Sequence, residues 1–451
     1  MSAPENAGND RGRSAKVWRG VGKSGGTKLV VQAVTALLGI LTTRLIIENF
    51  GLDTYAQYGL LVGIGALIPF ADLGISAAVM NAIAASQSPA NESRTRLVVL
   101  TALRVLIGSA VVILLISGIL YLTGLWPVIL GEALSPSTGP LAASAVLGVV
   151  AITLPLGIGQ RILSGLGKHH LTIALGGLQS PLTLGGIFLV VVAGLAAGPG
   201  LAVIPYVVAF VIAVVACLIA RRLLSPTFGW AVSNVARLRT VRGTKVFDVA
   251  WPSMLMMMAL PIAMQTDRIV LSHVTGPQDL AEYNLAWQMY IPIWGLVSAA
   301  GFTLWPVFAS ERERGKSVSP IPMAGAFAGI AVCLSLAVSL LSGLLAELAS
   351  GGQLTLGIGV VVSFSFLMVF QAAKYPLGMF MTDARGLRYQ ACMVVLMVPV
   401  NFGLSWYLAG IWGAAGPVVG SAVGVLIFQV LANLFWVRRE LARRQQAQLD
   451  S

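Results

Sequence analysis

Long apolar runs recur along this chain, and they constrain the fold more than any other feature. Crossing the hydrocarbon core of a bilayer takes roughly 20 consecutive apolar residues as an α-helix. Twelve such runs stand near residues 29–49, 56–80, 98–121, 139–160, 172–194, 200–220, 247–272, 284–308, 322–345, 354–379, 390–408 and 412–436, here numbered spans 1 to 12. They are too long and too continuous for the alternating strands of a transmembrane barrel. An all-α integral membrane protein is therefore expected, since helices and closed barrels alone satisfy their own backbone in lipid. Gly and Pro interrupt several runs, as in Leu154-Pro155-Leu156-Gly157 and Trp251-Pro252. Membrane helices tolerate such breaks where neighbours take up the freed backbone groups.

The charge content agrees. Only 10% of the 451 residues are charged and 57% are hydrophobic, whereas a soluble domain carries about 25% charged residues. A soluble enzyme, a disordered chain and a secreted disulfide scaffold are excluded. Cys217, Cys333 and Cys392 lie far apart in apolar runs, with neither metal spacing nor a disulfide framework. There is no complete phosphate-binding Gly-Lys-Ser/Thr loop and no His-Glu-x-x-His. The pair His169-His170 has no acidic or cysteine neighbour. No cofactor, metal or catalytic residue is expected.

The net charge of +12 would suggest nucleic acid in a soluble domain. Here it describes topology. With the N-terminus inside, the inner segments hold 25 of the 29 Lys and Arg, and the outer loops hold none. Such a split satisfies the positive-inside rule and places both termini in the cytoplasm. One span more or fewer would reverse every later loop. The expected organisation is a basic N-tail (1–28), a first lobe of six spans (29–220), a basic linker (221–246), a second lobe of six spans (247–436) and a basic C-tail (437–451). The N-tail either sets topology alone or also binds anionic headgroups.

The two halves echo one another. Span 1 ends Arg44-Leu-Ile-Ile-Glu-Asn-Phe-Gly51 and leads to Ala56-Gln-Tyr58. Span 7 ends Arg268-Ile-Val-Leu-Ser-His-Val-Thr-Gly276 and leads to Ala281-Glu-Tyr283. With one gap, an Arg, three aliphatics, a Gly and Ala-x-Tyr align. Six spans per half give both halves the same orientation, related by an axis along the membrane normal with a cavity between them.

Three stretches make the chain resemble the polysaccharide flippases of the multidrug/oligosaccharidyl-lipid/polysaccharide export superfamily. Phe50-Gly-Leu-Asp-Thr-Tyr-Ala-Gln-Tyr-Gly59, leading to Ala71-Asp-Leu-Gly-Ile75, is similar to the first hairpin of that family. Asp267-Arg-Ile-Val-Leu-Ser272, with Gly276 and Ala281-Glu-Tyr283, is similar to the start of its second lobe. Leu304-Trp-Pro-Val-Phe308, followed by Ser310-Glu-Arg-Glu-Arg-Gly315, is similar to its span-8 exit. Gly165-Leu-Gly-Lys168 after span 4 also fits. The resemblance implies a V-shaped bundle of two six-helix lobes working by alternating access in the bacterial cytoplasmic (inner) membrane. The implied cargo is an undecaprenyl-pyrophosphate-linked oligosaccharide, moved to the outer leaflet for surface polysaccharide synthesis. Membrane lipids, a polysaccharide polymerase and glycosyltransferases are the implied partners, with no nucleic acid. The alternatives are a small-molecule exporter of the related multidrug type, whose cationic cargo would favour acidic groups, and a lipid II flippase, which commonly has two further spans.

Charges within the spans are the candidate site residues, because a charge at the bilayer centre costs about 2.5–3.5 kcal/mol on insertion scales. Arg44 and its repeat counterpart Arg268 either face the outer half of a central cavity, offering forked donors to a pyrophosphate, or snorkel and pair locally. Lys374, just before Pro376, is a third candidate for the cavity. Asp72, Asp267 and Arg104 are candidates for coupling or gating, with helix contacts as the alternative. Glu311-Arg-Glu-Arg314 is a solvated loop or a latch between lobes. Trp126, Trp251, Trp287, Trp305, Trp406 and Trp412 are expected as interface residues. Tyr283, Trp287 and Tyr290 share one helix face. They are expected to anchor at the interface, or else to stack on sugar rings. Met254-Leu-Met-Met-Met258 is expected as flexible packing.

Overall fold

The computed structural model describes residues 32, 34–65, 75–86, 88–241, 265–313 and 318–449. Helix occurs in all twelve expected spans, and no strand occurs among the described residues. Span 1 is helical over 34–50 and span 2 over Leu52–Ile64 and Ile75–Ala84. Span 3 is Ser93–Leu122, span 4 Gly139–Leu156 continued by Ile158–Gly165, span 5 His169–Gly177 continued by Gln179–Val192, and span 6 Val203–Leu223. In the second half, span 7 is helical over 265–274 and span 8 over Pro277–Phe302, followed by Leu304–Glu313. Span 9 is Ile321–Ser350, span 10 Ile358–Phe380, span 11 Ala384–Trp412 and span 12 Ala415–Leu449, with a π-helical turn at Leu426–Leu431. The N-tail, Asp72, Trp251-Pro252, Met254–Met258 and Arg314 lie outside the described residues.

Local sequence explains the breaks. Span 4 is interrupted at Gly157, two residues after Pro155. Proline removes a backbone donor, and its ring crowds the preceding turn. At the end of the bundle that carries no basic loop residue, spans 1 and 2, 7 and 8, and 11 and 12 are joined by one or two residues, and spans 3 and 4 by the longer segment 123–138. Gly131 sits there at φ +75, a conformation glycine adopts freely.

Spans 3 to 6 and 9 to 12 each contain a helix long and apolar enough to cross a membrane unaided. Span 8 is as long but carries Glu282, Asn284 and Gln288. A helix with that polar content needs a wet or partnered face. The chain is a multi-pass membrane protein whose more polar span lies toward its centre.

The buried core shows how the halves meet. Its largest cluster draws on both halves, from Ile46, Tyr55 and Leu61 to Leu271, Tyr283, Tyr290 and Phe364. Toward the basic end it divides. One cluster belongs to the first half, with Val79, Leu103, Ile162 and Phe228. Another belongs to the second, with Phe308, Leu377, Phe380 and Val437. Among the described residues no apolar cluster joins the two legs at that end. The described residues thus form a two-lobed bundle whose shared core lies toward the acidic end.

The linker is more than a tether. Residues Thr227–Asn234 form a helix whose Thr227, Phe228, Ala231 and Asn234 are buried against the first half. Arg104 of span 3 fastens the end of this helix and the residues beyond it. Its guanidinium donates to the carbonyl oxygens of Val235 (3.0 Å), Val241 (2.8 Å), Asn234 (2.9 Å) and Arg237 (3.0 Å).

Candidate functional site

Near the acidic end the halves meet in a polar joint. Ser272 of span 7 donates to the carbonyl of Leu130, which precedes span 4. The N–H of Glu132 donates to the Ser272 carbonyl at 2.9 Å, and His273 Nε2 lies 2.9 Å from the Val128 carbonyl oxygen. The backbones approach so closely that a Cβ at Gly131 would lie 2.4 Å from the Ser272 carbonyl oxygen. Below this joint, side chains of spans 7 and 8 enter glycine notches in spans 1 and 2. A Cβ at Gly59 would lie 2.0 Å from Asn284 Nδ2, one at Gly39 2.2 Å from Gln288 Nε2, and one at Gly63 3.0 Å from Arg268 Cδ. The Thr43 hydroxyl donates to Gln288 Oε1 at 2.8 Å across the seam.

The same seam bounds a cavity of about 380 Å³ between the halves. Arg268 is its one charged lining residue among the described ones, and no acid lines it. Amides (Gln32, Gln179, Asn284, Gln288), hydroxyls (Thr35, Thr42, Thr43, Tyr58) and the face of Trp287 make up much of the rest. Arg268 is held on three sides. Its Nε donates to Asn284 Oδ1 at 2.7 Å and its Nη1 to Gln265 Oε1 at 2.6 Å. Its guanidinium carbon stands 5.6 Å from the Tyr283 ring centre and 5.7 Å from that of Trp287, within cation–π range. A guanidinium so fixed is pre-organised as an anion receptor.

Arg268 is also one end of an aromatic wall. Trp287 meets Trp294 edge-on at 5.8 Å between ring centres, and Trp294 Nε1 donates to the Tyr375 hydroxyl at 2.9 Å. Lys374 lies beside Tyr375, its Nζ 5.5 Å from that ring centre. It is buried, and its Nζ has no hydrogen-bond partner among the described residues. Two of the three expected cations are thus connected through spans 8 and 10. Arg44 is elsewhere. It is half-exposed in a separate groove between spans 1 and 5, beside Leu41 and Phe188, and its Nε pairs with Glu48 at 2.8 Å. The repeat relates Arg44 and Arg268 in sequence, but span 1 presents Thr43 to the seam and turns Arg44 away from it.

Asp267 points away from Arg268 into the second half. It is 1% exposed. Ser421 Oγ lies 2.9 Å and Tyr283 Oη 3.4 Å from its Oδ2, and Ser405 Oγ lies 3.3 Å from its Oδ1. Asn401 Oδ1 is 3.2 Å from Ser421 Oγ, and the Pro417 carbonyl oxygen is 3.3 Å from Ser405 Oγ. Three hydroxyls, an amide oxygen and a backbone carbonyl thus gather around the carboxylate. Such a set of oxygen atoms can hold a proton or a small hard cation. Sequence reasoning singled out Asp267 but missed its partners. The available signal was the i, i+4 pair Asn401 and Ser405 in an otherwise apolar span.

Other expectations need correction. Trp126 is buried, donating to Ser144 Oγ at 2.8 Å, and Trp287 lines the cavity, so neither is an interface residue. Trp305, Trp406 and Trp412 are exposed, as membrane-facing residues would be. Tyr283 and Tyr290 are fully buried around Phe364 rather than anchored at an interface. Arg104 spends its guanidinium on the linker carbonyls. Arg312 reaches the Phe380 carbonyl in its own half, where a latch would have to reach the other. No group of three His, Cys, Asp or Glu is placed to hold a metal among the described residues.

A sequence model for polysaccharide biosynthesis proteins matches residues 21–311, more than half of the chain. The chain belongs to that family. No curated protein matches it by sequence. Among solved structures, this family member is similar to the lipid II flippase MurJ in an inward closed conformation, with TM-score 0.66 and 12% identity over 94% of this chain and 90% of that one. It is also similar to an inward-facing multidrug resistance MATE family transporter of the MOP superfamily, with TM-score 0.58 and 19% identity over 93% and 99%. A MOP superfamily transporter from Pyrococcus furiosus aligns with TM-score 0.53 and 18% identity over 93% and 95%. At these identities the likeness establishes the fold, that of the two-lobe MOP transporters.

Proposed function

We propose that this protein is a flippase. It moves an undecaprenyl-pyrophosphate-linked oligosaccharide repeat unit from the inner to the outer leaflet of the bacterial cytoplasmic membrane, with both termini cytoplasmic. The observation that carries this reading is the cavity lining. One fixed guanidinium, several amides and hydroxyls, an aromatic face and no acid form a surface suited to an anionic, sugar-bearing headgroup. Arg268 would hold the pyrophosphate, Trp287 would stack on sugar, and the lipid tail would stay in the bilayer. Lys374 would supply a second positive charge, and Arg44 would meet phosphate at the lateral groove. Asp267 would couple the cycle to a proton or small cation, with Asp72 as a further coupling candidate and Arg104 acting through the linker.

The test is reconstitution with a lipid-linked oligosaccharide in vesicles, reading protection of the sugar from an external enzyme. Wild type should equilibrate the leaflets. Arg268→Gln should slow flipping by roughly ten- to a hundred-fold, the worth of one lost charge-assisted contact of about 1.5–3 kcal/mol. Wild-type rates in that variant would refute the assignment. A lipid II reading is favoured by the likeness to MurJ. Competition between lipid II and the repeat-unit lipid separates the two.

A further inference from the structure

A second groove lies at the basic end, on the outer surface of the first half and away from the central cavity. It is lined by Leu218, Arg221 and Arg222 at the end of span 6, and by Ser225, Pro226, Gly229 and Trp230 of the docked linker. The groove measures about 860 Å³. Its far wall is held firmly. Leu224, Phe228 and Ala231 are buried, Arg96 Nε donates to Thr227 Oγ1 at 3.2 Å, and Arg104 ties down the carbonyls of Val235 and Val241. Both lining arginines are exposed, and no ion pair engages either among the described residues. Residues 218–241 contain four arginines and no acid. Above the groove, Val207, Val211, Val215 and Leu218 form an exposed stripe at helical spacing that runs down span 6 to Arg222.

We infer that this groove is a binding site for an anionic phospholipid, its phosphate held by Arg221 and Arg222 and its acyl chains laid along the span 6 stripe. Positive charge at a cytoplasmic helix end has a simpler origin in topology, but topology needs no groove. What singles out this place is the combination of unpaired forked donors, a Trp at headgroup depth and an apolar path of lipid length on the same helix face. A free phosphate would use the arginines and ignore the stripe. A zwitterionic lipid would use the stripe but find no acid for its amine.

Native mass spectrometry of the full-length protein in detergent tests the site, with phosphatidylglycerol as the titrated lipid and phosphatidylcholine as the comparison. Wild type should bind phosphatidylglycerol in preference to phosphatidylcholine. Arg221→Gln with Arg222→Gln should weaken phosphatidylglycerol binding by about 30-fold, the attraction expected of two basic residues at an anionic surface. The matching Lys pair should retain the preference. Gly229 faces open space, so Gly229→Leu fills the groove with both arginines intact and should lose binding too. That variant decides the matter if the Gln pair fails to accumulate. Unchanged binding in either variant overturns the inference. So does an equal loss from Arg438→Gln with Arg439→Gln, which would mean diffuse charge. Displacement of the lipid by inorganic phosphate, or equal binding of phosphatidylcholine, overturns it as well.

Discussion

Replacing Gly59 by Ala should force the two halves apart at the seam. The new Cβ would lie 2.0 Å from Asn284 Nδ2 and 2.3 Å from its Cγ. Ordinary contact begins near 3.4 Å, so the amide must retreat by more than an ångström. Asn284 is 5% exposed, and its Oδ1 accepts the 2.7 Å bond from Arg268 Nε. Retreat breaks that bond and leaves a buried cation short of a partner, a loss of about 1.5–3 kcal/mol. The contact exists only where the halves touch. The loss therefore falls on the state in which the halves touch here, shifting the equilibrium toward its alternative by roughly ten- to a hundred-fold. Spin labels at Val128 and Trp412, with the three native cysteines replaced, would report the separation at the acidic end. Wild type should give one short distance and Gly59→Ala a second, longer one. Gly148→Ala, whose Cβ meets nothing within 4 Å, is the control. A Gly59→Ala distance distribution matching wild type would refute the reasoning, because the seam would then not be what holds this state.

Four further outcomes rest on particular contacts. Lys374→Met should leave the melting temperature unchanged or raised, because a buried ammonium without a hydrogen-bond partner contributes little to stability. If flipping falls while stability holds, the lysine serves the cargo. Arg104→Gln should lower stability by about 2–3 kcal/mol and expose residues 235–241 to protease; unaltered proteolysis would dismiss the clamp. Asp267→Asn should abolish the dependence of flipping on an imposed proton or sodium gradient while preserving the fold, measured in vesicles with and without the gradient. Glu92 accepts hydrogen bonds from Ser86 and Thr95, which hold its pKa below the usual glutamate value. Its small stabilisation is present above the unfolded-state pKa and lost as pH falls through the folded one. The melting difference between wild type and Glu92→Gln should therefore vanish in acid.

The helices were legible because lipid leaves a chain few options. Apolar runs marked helix in all twelve spans, and Pro155 with Gly157 marked a real break. The repeat pointed to Arg44 and Arg268 but could not show how span 1 is rotated about its axis. A one-residue difference in facing, Thr43 rather than Arg44, decides which group meets the seam. Periodicity gives the relative positions of residues on one helix and says nothing about the neighbour they meet. Tyr283, Trp287 and Tyr290 were correctly placed on one face for that reason, yet that face turned out to be interior. Two of the three hydroxyl partners of Asp267, Ser405 and Ser421, come from spans 11 and 12, more than 130 residues away. No local pattern connects such positions. Arg104 was conspicuous as a charge in a span, but its four acceptors are backbone carbonyls, which no side-chain pattern reveals.

The divided core has a consequence for how the protein comes apart. Each leg at the basic end has its own apolar cluster, so each can lose structure while the other stays intact. The joined region near the acidic end must yield last, because breaking it exposes both halves at once. Unfolding should then proceed in steps rather than as a single cooperative event, and no single free energy would describe it. Amide exchange would divide the molecule into three units, with spans 7 and 8 near the joint the slowest to exchange.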